Sequence, residues 1–191
     1  LTTGQVAGLT TDTMAALTSR QVQAIETTDV QALTTDQLNT LATSTVQALS
    51  TGQIQALKTS QVAGLSTAGV QALSTAQVVS LSTAQIGNLT TDAMAALSTK
   101  QVAAIETRDI AVLTTDQLAK LTTNAVQALS SGQIIALTTG QVAGLTTDTM
   151  AALKTAQVAA IETRDIQALT TDQLAKLTTN AVQALSTGQI V

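Results

Sequence analysis

The sequence predicts an all-α solenoid of short helix-turn octapeptide repeats, with a β-solenoid as the alternative reading. Three observations carry this expectation. An octad of the form L-[ST]-T-x-Q-[VI]-x-A runs without a break from Leu1 to Val191, in 23 full copies and a 24th, from Leu185, that is one residue short. An uninterrupted short period decides an architecture before any local pattern does. Hydroxyl residues stand just ahead of each apolar stretch, where a helix N-cap belongs. The residues between are rich in Ala, Gln and Leu, which are good helix formers. The β-alternative rests on the threonines and β-branched residues, which favour strands. Against it, the period-2 alternation of a half-buried strand is poor. One continuous helix is disfavoured, because paired Thr recurs in the octads and no heptad seam appears.

Each octad position has its own chemistry. Position 1 is Leu in 21 copies and Ile in three: Ile25, Ile105 and Ile161. Position 6 is always Val, Ile, Leu or Met, and position 8 is usually Ala or Gly. Positions 6 and 8 and the next Leu are expected near one face. Positions 4 and 7 vary most and are assigned to solvent. Position 5 is Gln in 14 copies. If position 2 is the N-cap, S/T-x-x-Q is a capping box, and positions 1 and 6 have the spacing of a hydrophobic staple. If position 3 is the cap, acidic residues fall in the first turn, where they suit the helix dipole. The count favours position 3. It is Thr or Ser in every copy, whereas position 2 also accepts Glu26, Glu106, Glu162, Lys58, Lys154 and Ala42. Helices this short are unstable alone, so the array must be held by burial between neighbours. With two octads per layer and a helix spacing of roughly 8–10 Å, twelve layers would make a rod of about 100 Å.

Along the chain, residues 1–191 read as a single uninterrupted array with no linker. A second period lies on top of the first. Residues 89–144 and 145–191 begin LTTDAMAALSTKQVAAIETRDI and LTTDTMAALKTAQVAAIETRDI, an offset of 56 residues or seven octads. Residues 9–64 follow the same order, and three extra octads fill 65–88. Both block sizes are odd, so with two octads per layer a duplication would swap sides. Near-equivalent octads along one screw axis, with no dedicated binding face, follow from that. The chain begins and ends inside the repeat, which reads as a fragment of a longer protein.

Composition narrows the function. There is no Phe, Tyr, Trp, His, Cys or Pro, so the core must be aliphatic. Hydrophobic content of 45% argues against disorder. A net charge of −4 with 10% charged residues leaves no basic patch for nucleic acid. No apolar run is long enough for membrane insertion. Nucleophilic catalysis needs an activating base, and His and Cys are absent. Lys58, Lys100, Lys120, Lys154 and Lys176 stand at positions expected to be exposed. No enzyme activity, catalytic residue, cofactor, metal site or small-molecule substrate is therefore expected. The densest charge is Glu106, Arg108, Asp109 and its copy Glu162, Arg164, Asp165; the first copy, Glu26 to Asp29, lacks the Arg. It reads as a solvated local ion pair, or else as a Ca²⁺ or partner site. The threonine array also raises the idea of an ice-binding surface, against the simpler role of helix capping.

Two resemblances follow from these residues. The strings LTTDQL (33–38) and LSTGQI (49–54) resemble the helix start LTPEQVVAI of TAL-effector repeats, over about six residues per unit and with Thr in place of Pro. The base-reading loop of that family has no counterpart, so DNA binding does not transfer. The whole chain resembles the Thr/Ala/Gln-rich octapeptide arrays of very large bacterial surface or secreted, adhesin-like proteins. That resemblance implies a bacterial, extracellular or cell-surface structural role, as a stalk or a fibre body. End-to-end self-association of uncapped arrays follows from the repeat physics. A binding module, gripping a peptide, glycan or ice, is the rival class.

Overall fold

A computed structural model describes residues 1–190. Among them each octad forms one short α-helix, and no strand occurs. The chain is an all-α repeat solenoid. It divides into two compact units, Leu1–Leu97 and Ser98 onward.

In the first unit the helices form four layers of three. The first layer is α1 (Thr3–Ala7), α2 (Thr11–Ala15) and α3 (Ser19–Gln23); the second is α4 (Thr27–Val30), α5 (Thr35–Asn39) and α6 (Thr43–Ala48). The third is α7 (Thr51–Ala56), α8 (Thr59–Ala63) and α9 (Thr67–Ala72); the fourth is α10 (Thr75–Ser80), α11 (Thr83–Gly87) and α12 (Thr91–Ala96). The second unit repeats the plan. It holds α13 (Thr99–Ala104), α14 (Thr107–Ile110) and α15 (Thr115–Ala119), then α16 (Thr123–Ala128), α17 (Ser131–Ile135) and α18 (Thr139–Ala143). Above these lie α19 (Thr147–Ala152), α20 (Thr155–Ala159) and α21 (Thr163–Ile166), then α22 (Thr171–Ala175), α23 (Thr179–Gln183) and α24 (Thr187–Ile190).

Within each unit helices pack on the one three octads later, such as α1 on α4 and α13 on α16. Three octads therefore make a layer, not the expected two. The reason lies at the corners. Position 2 is extended in every described cap, with φ between −64° and −82° and ψ between 149° and 161°. Where helices run six residues, position 1 is extended too, as in Leu49 (φ −58°, ψ 133°) and Ile105 (φ −62°, ψ 129°). Two such residues turn the chain without any left-handed residue. The caps are near-identical along the chain, so no alternation of two octad forms appears. Seven octads are then two layers and one helix more, and the three extra octads of 65–88 equal one layer in number, though their helices α9, α10 and α11 straddle the third and fourth layers.

The N-cap is position 2, which corrects the preference for position 3. Thr34 Oγ1 accepts from Gln37 N while Gln37 Oε1 accepts from Thr34 N, a full capping box. The Gln half of the box uses only the backbone N–H of position 2. It survives when that residue is Lys: Lys58 N donates to Gln61 Oε1 at 2.7 Å. This is how Lys58 and Lys154 are accommodated at position 2. The octads of Glu26, Ala42, Glu106 and Glu162 have no Gln at position 5, and their caps carry no side-chain bond. The position-3 hydroxyl residues instead stand at the first helical position, against the neighbouring layer.

Burial also departs from expectation at one position. Positions 1 and 6 form the core, as in Leu33, Leu38, Leu57 and Val62. Position 4 is exposed in all copies, and position 7 is never buried among the described residues. Position 8 is mostly half-buried or exposed, and only Ala72 and Ala152 are buried there. Position 5 takes its place in the interior: Gln53 is 2% exposed and Gln85 1%.

Candidate functional site

The most ordered chemistry in the molecule is an internal ladder of carboxamides. In α8, Gln61 Nε2 donates to the carbonyls of Val30 at 3.0 Å and Leu33 at 2.6 Å. These carbonyls lie 31 and 28 residues back, at the corner between two octads of the layer before. Gln77 binds Val46 and Leu49, and Gln133 binds Val102 and Ile105, in the same geometry. One amide thus closes its own helix start with the oxygen and ties down a corner of the previous layer with the nitrogen. The position-6 carbonyl, such as Val30 O, already accepts from the backbone N–H of Leu33 and takes the amide as a second donor, whereas the position-1 carbonyl, such as Leu33 O, lies past the helix end, where no intrahelical partner reaches it. Buried polar groups stabilise only when fully paired, and these are.

Where position 5 is not Gln, the structure shows a substitute in one place. Octad 65–72 carries Gly69. There Asn39, from α5, accepts from Ser66 N at 2.7 Å and donates to Gly64 O at 2.9 Å. A Cβ on Gly69 would stand 3.3 Å from Asn39 Oδ1, so the small residue admits the neighbour's amide. Accordingly α5 packs against α9, one helix beyond the usual partner.

The charged octads form compact local clusters. Arg108 pairs with Glu106 and stands 3.6 Å from Asp109. Arg164 pairs with Glu162 at 2.5 Å and with Asp165 at 3.4 Å. Both arginines are about two-thirds exposed, and both aspartates are buried. The aspartate occupies position 5 and, lacking a donor, accepts instead: Thr139 Oγ1 donates to Asp165 at 2.5 Å and Thr3 Oγ1 to Asp29 at 2.5 Å. The carboxylates are thus bridged by Arg or bound by Thr. Groups of three or more His, Cys, Asp or Glu placed to hold a metal are absent among the described residues. In the second unit α14 and α21 lie on different sides of the three-sided stack, so these clusters do not build one face.

The remaining sequence candidates lie apart. Lys58, Lys100, Lys120, Lys154 and Lys176 are exposed. The position-2 hydroxyls are spent on caps, while most position-3 threonines are exposed. At the first layer a cavity of about 380 Å³ is lined by Leu1, Val6, Leu17, Gln21, Ile25 and Asp29. Among the described residues no helix is long and apolar enough to cross a membrane.

Sequence reasoning took position 5 as a capping residue and missed that it is interior. A signal for it exists. The ten copies without Gln carry Thr, Ala, Gly or Asp, and never Lys, Arg or Glu. A solvent position in this chain shows no such limit; position 4 holds Arg20, Lys100 and Arg108.

The octad that makes the ladder also decides the kinship. A family model described as the ALTTAQ repeat matches residues 22–59, 52–83, 62–99, 78–105, 102–139 and 158–191. The chain belongs to the ALTTAQ repeat family. The string ALSTAQ at 72–77 shows the motif nearly complete, and its Gln77 is a ladder residue. In ALTTAQ terms the two Thr positions are the cap and the first helical residue, and the Gln is the interlayer brace. No curated protein matches the chain.

Proposed function

We propose that this ALTTAQ array is a structural element whose length is set by its layer count: the body of a rod or filament, serving as an extracellular stalk or fibre. One observation carries the reading. The repeated polar side chain, Gln at position 5, faces inward and holds one layer to the next, while the outward positions 4 and 7 vary freely. The largest of the repeated polar side chains is thus committed to holding layers together. The bacterial cell-surface setting rests on the resemblance to octapeptide arrays of large surface proteins. Neither enzymatic chemistry nor nucleic-acid binding belongs to this reading, given the residue set.

End-to-end stacking follows from the same geometry. Position 6 is buried in the interior layers, yet Leu174, Val182 and Ile190 of the last layer are 37%, 44% and 65% exposed. At the first layer Leu1 is 78% exposed and Leu9 and Leu17 are half-buried. Gln5 and Gln21 there are exposed, with oxygens engaged in capping. These two faces are the ones that meet between interior layers. Either fits a further layer, of the same polypeptide or of a second copy. The two faces differ, so the contact is head to tail and does not close on itself.

The test is electron microscopy of the purified 191-residue chain over a concentration series. Filaments with a regular axial repeat, lost on appending a charged polar cap to one end, support the reading. Association that survives the cap is lateral and refutes the stacking. A stoichiometric ligand recovered with the chain favours a binding module instead.

A further inference from the structure

We infer that the contact of α19–α21 with α16–α18 is a built-in joint, the interlayer contact of the second unit that opens first under load or denaturant. The argument begins with the braces. Gln189 of α24 ties down Ile161 O in the layer before, and Gln173 of α22 ties down Ala143 O and Leu145 O at the corner where α18 passes into α19. Between α16–α18 and the layer before, Gln133 and Gln141 do. In α19–α21 the three position-5 residues are Thr149, Gln157 and Asp165, and only Gln157 is an amide. It binds Val126 and Leu129, both at 2.8 Å. Asp165 adds one bond, from Thr139. Thr149 turns back within its own helix start, where its hydroxyl pairs with that of Thr146 at 2.8 Å.

Packing fails at the same place. An interior void of about 10 Å³, near the size of one water probe, is lined by Thr149 and by Leu118, Leu121, Val126, Leu137 and Leu145, among other apolar residues. A groove of about 310 Å³ opens beside it, along Ala119, Thr122, Thr123, Thr146, Asp148 and Thr149. In the first unit the matching corner is occupied by Asn39, which binds Gly64 O and Ser66 N. Here the matching residue is Ala119, and the matching Gly144 O and Thr146 N receive no amide. Local geometry is otherwise preserved: a Cβ on Gly64 or on Gly144 would stand 2.4 Å from the Cγ2 of Thr35 or of Thr115. The α4–α6 layer of the first unit also has a single ladder Gln, Gln37, but that amide reaches three carbonyls. Missing amides, a small apolar-lined void and an open groove thus coincide at one interlayer contact.

Hydrogen exchange on the intact chain tests this, followed by mass spectrometry. Amides of α16–α21 should exchange faster than those of α7–α12, which are braced by Gln53, Gln61, Gln77, Gln85 and Asn39. Thr149→Gln should slow the α16–α21 amides about tenfold, because the new amide would find Thr146 N and the carbonyls of Leu118 and Leu121 at the register used elsewhere. It should leave α7–α12 unchanged. Gln157→Leu, removing the one amide brace and leaving only the Thr139–Asp165 bond, should speed exchange in α16–α21 by a similar factor. The inference is overturned if wild-type α16–α21 is as protected as α7–α12. It is overturned equally if neither substitution moves protection selectively in α16–α21. The joint is a property of the single chain, so it stands or falls apart from any end-to-end association.

Discussion

Gln61→Glu is the sharpest probe of the amide ladder, because it changes the chemistry without changing the shape. Gln61 is 4% exposed. Its oxygen accepts from Lys58 N, and its nitrogen donates to Val30 O and Leu33 O. A glutamate keeps the first bond and loses the other two donations, at about 1 kcal/mol each. It also sets a carboxylate against two carbonyl oxygens in the interior. That cost has a ceiling. The side chain will protonate rather than exceed the price of taking up a proton, about 3.7 kcal/mol at pH 7 for a group of ordinary pKa near 4.3. The protonated acid then regains one donation. The variant should lose roughly 3–5 kcal/mol at pH 7 and about 1 kcal/mol near pH 4. The sign is set by the introduced carboxyl, whose folded pKa is raised above its unfolded value. The folded state therefore holds the proton more tightly, and relative stability falls as pH rises above about 4.3, levelling off past the raised folded pKa. Gln5→Glu is the control, because Gln5 is exposed and its nitrogen ties down no earlier layer. Thermal unfolding followed by circular dichroism at pH 4 and pH 7 reads both variants against wild type. In a unit of this size the loss at pH 7 should lower the midpoint by more than roughly 10 °C. The reasoning fails if Gln61→Glu melts with Gln5→Glu at pH 7, or if its deficit does not shrink at pH 4.

Further outcomes follow from other contacts. Gly64→Ala should destabilise by about 1–3 kcal/mol, since its Cβ would stand 2.4 Å from Thr35 Cγ2, whereas Gly140→Ala meets nothing within 4 Å and should gain up to about 1 kcal/mol; urea midpoints distinguish the two. Ala42 caps α6 without a side-chain bond, so Ala42→Ser should raise stability by about 0.5–1 kcal/mol in the same assay. Asn39→Ala should cost about 0.5–1.5 kcal/mol by removing its bonds to the exposed Ser66 N and Gly64 O. Adding Gly69→Gln should recover much of that loss only when Asn39 is gone, which a double-mutant cycle would show as strong coupling. Arg164→Gln should change the melting midpoint little, because the ion pairs of this exposed side chain are screened by solvent.

Much of this molecule is legible in eight residues. The helix in each octad, the S/T-x-x-Q capping box, the apolar positions 1 and 6 and the solvent positions 4 and 7 are all local facts. Caps join residues three apart, and Thr34 with Gln37 needs no knowledge of the rest of the chain. The choice between positions 2 and 3 was misread because the invariant hydroxyl looked like the cap. In fact the backbone half of the box lets Lys58 stand at the cap, while position 3 begins the helix, with its hydroxyl bonded to an aspartate of the next layer at Thr3 and Thr139. The charged octads likewise read correctly as local pairs of Arg164 with Glu162, but the burial of Asp165 and its bond from Thr139 come from α18, 26 residues away.

What the tertiary structure alone decided is how many octads close a layer, and with it everything that spans layers. The corner angle comes from extended backbone at positions 1 and 2, and Leu and Thr adopt such dihedrals in many folds, so their identity does not announce a three-sided stack. Once three octads close, the nitrogen of Gln61 meets carbonyls 28 and 31 residues behind it. A two-sided stack would have carried it to other atoms, and its half-share in a capping box would have been the whole of its role. Sequence determined the unit because its bonds are short-range in the chain. The assembly of units depends on a closure angle that accumulates over 24 residues, and no single octad encodes it.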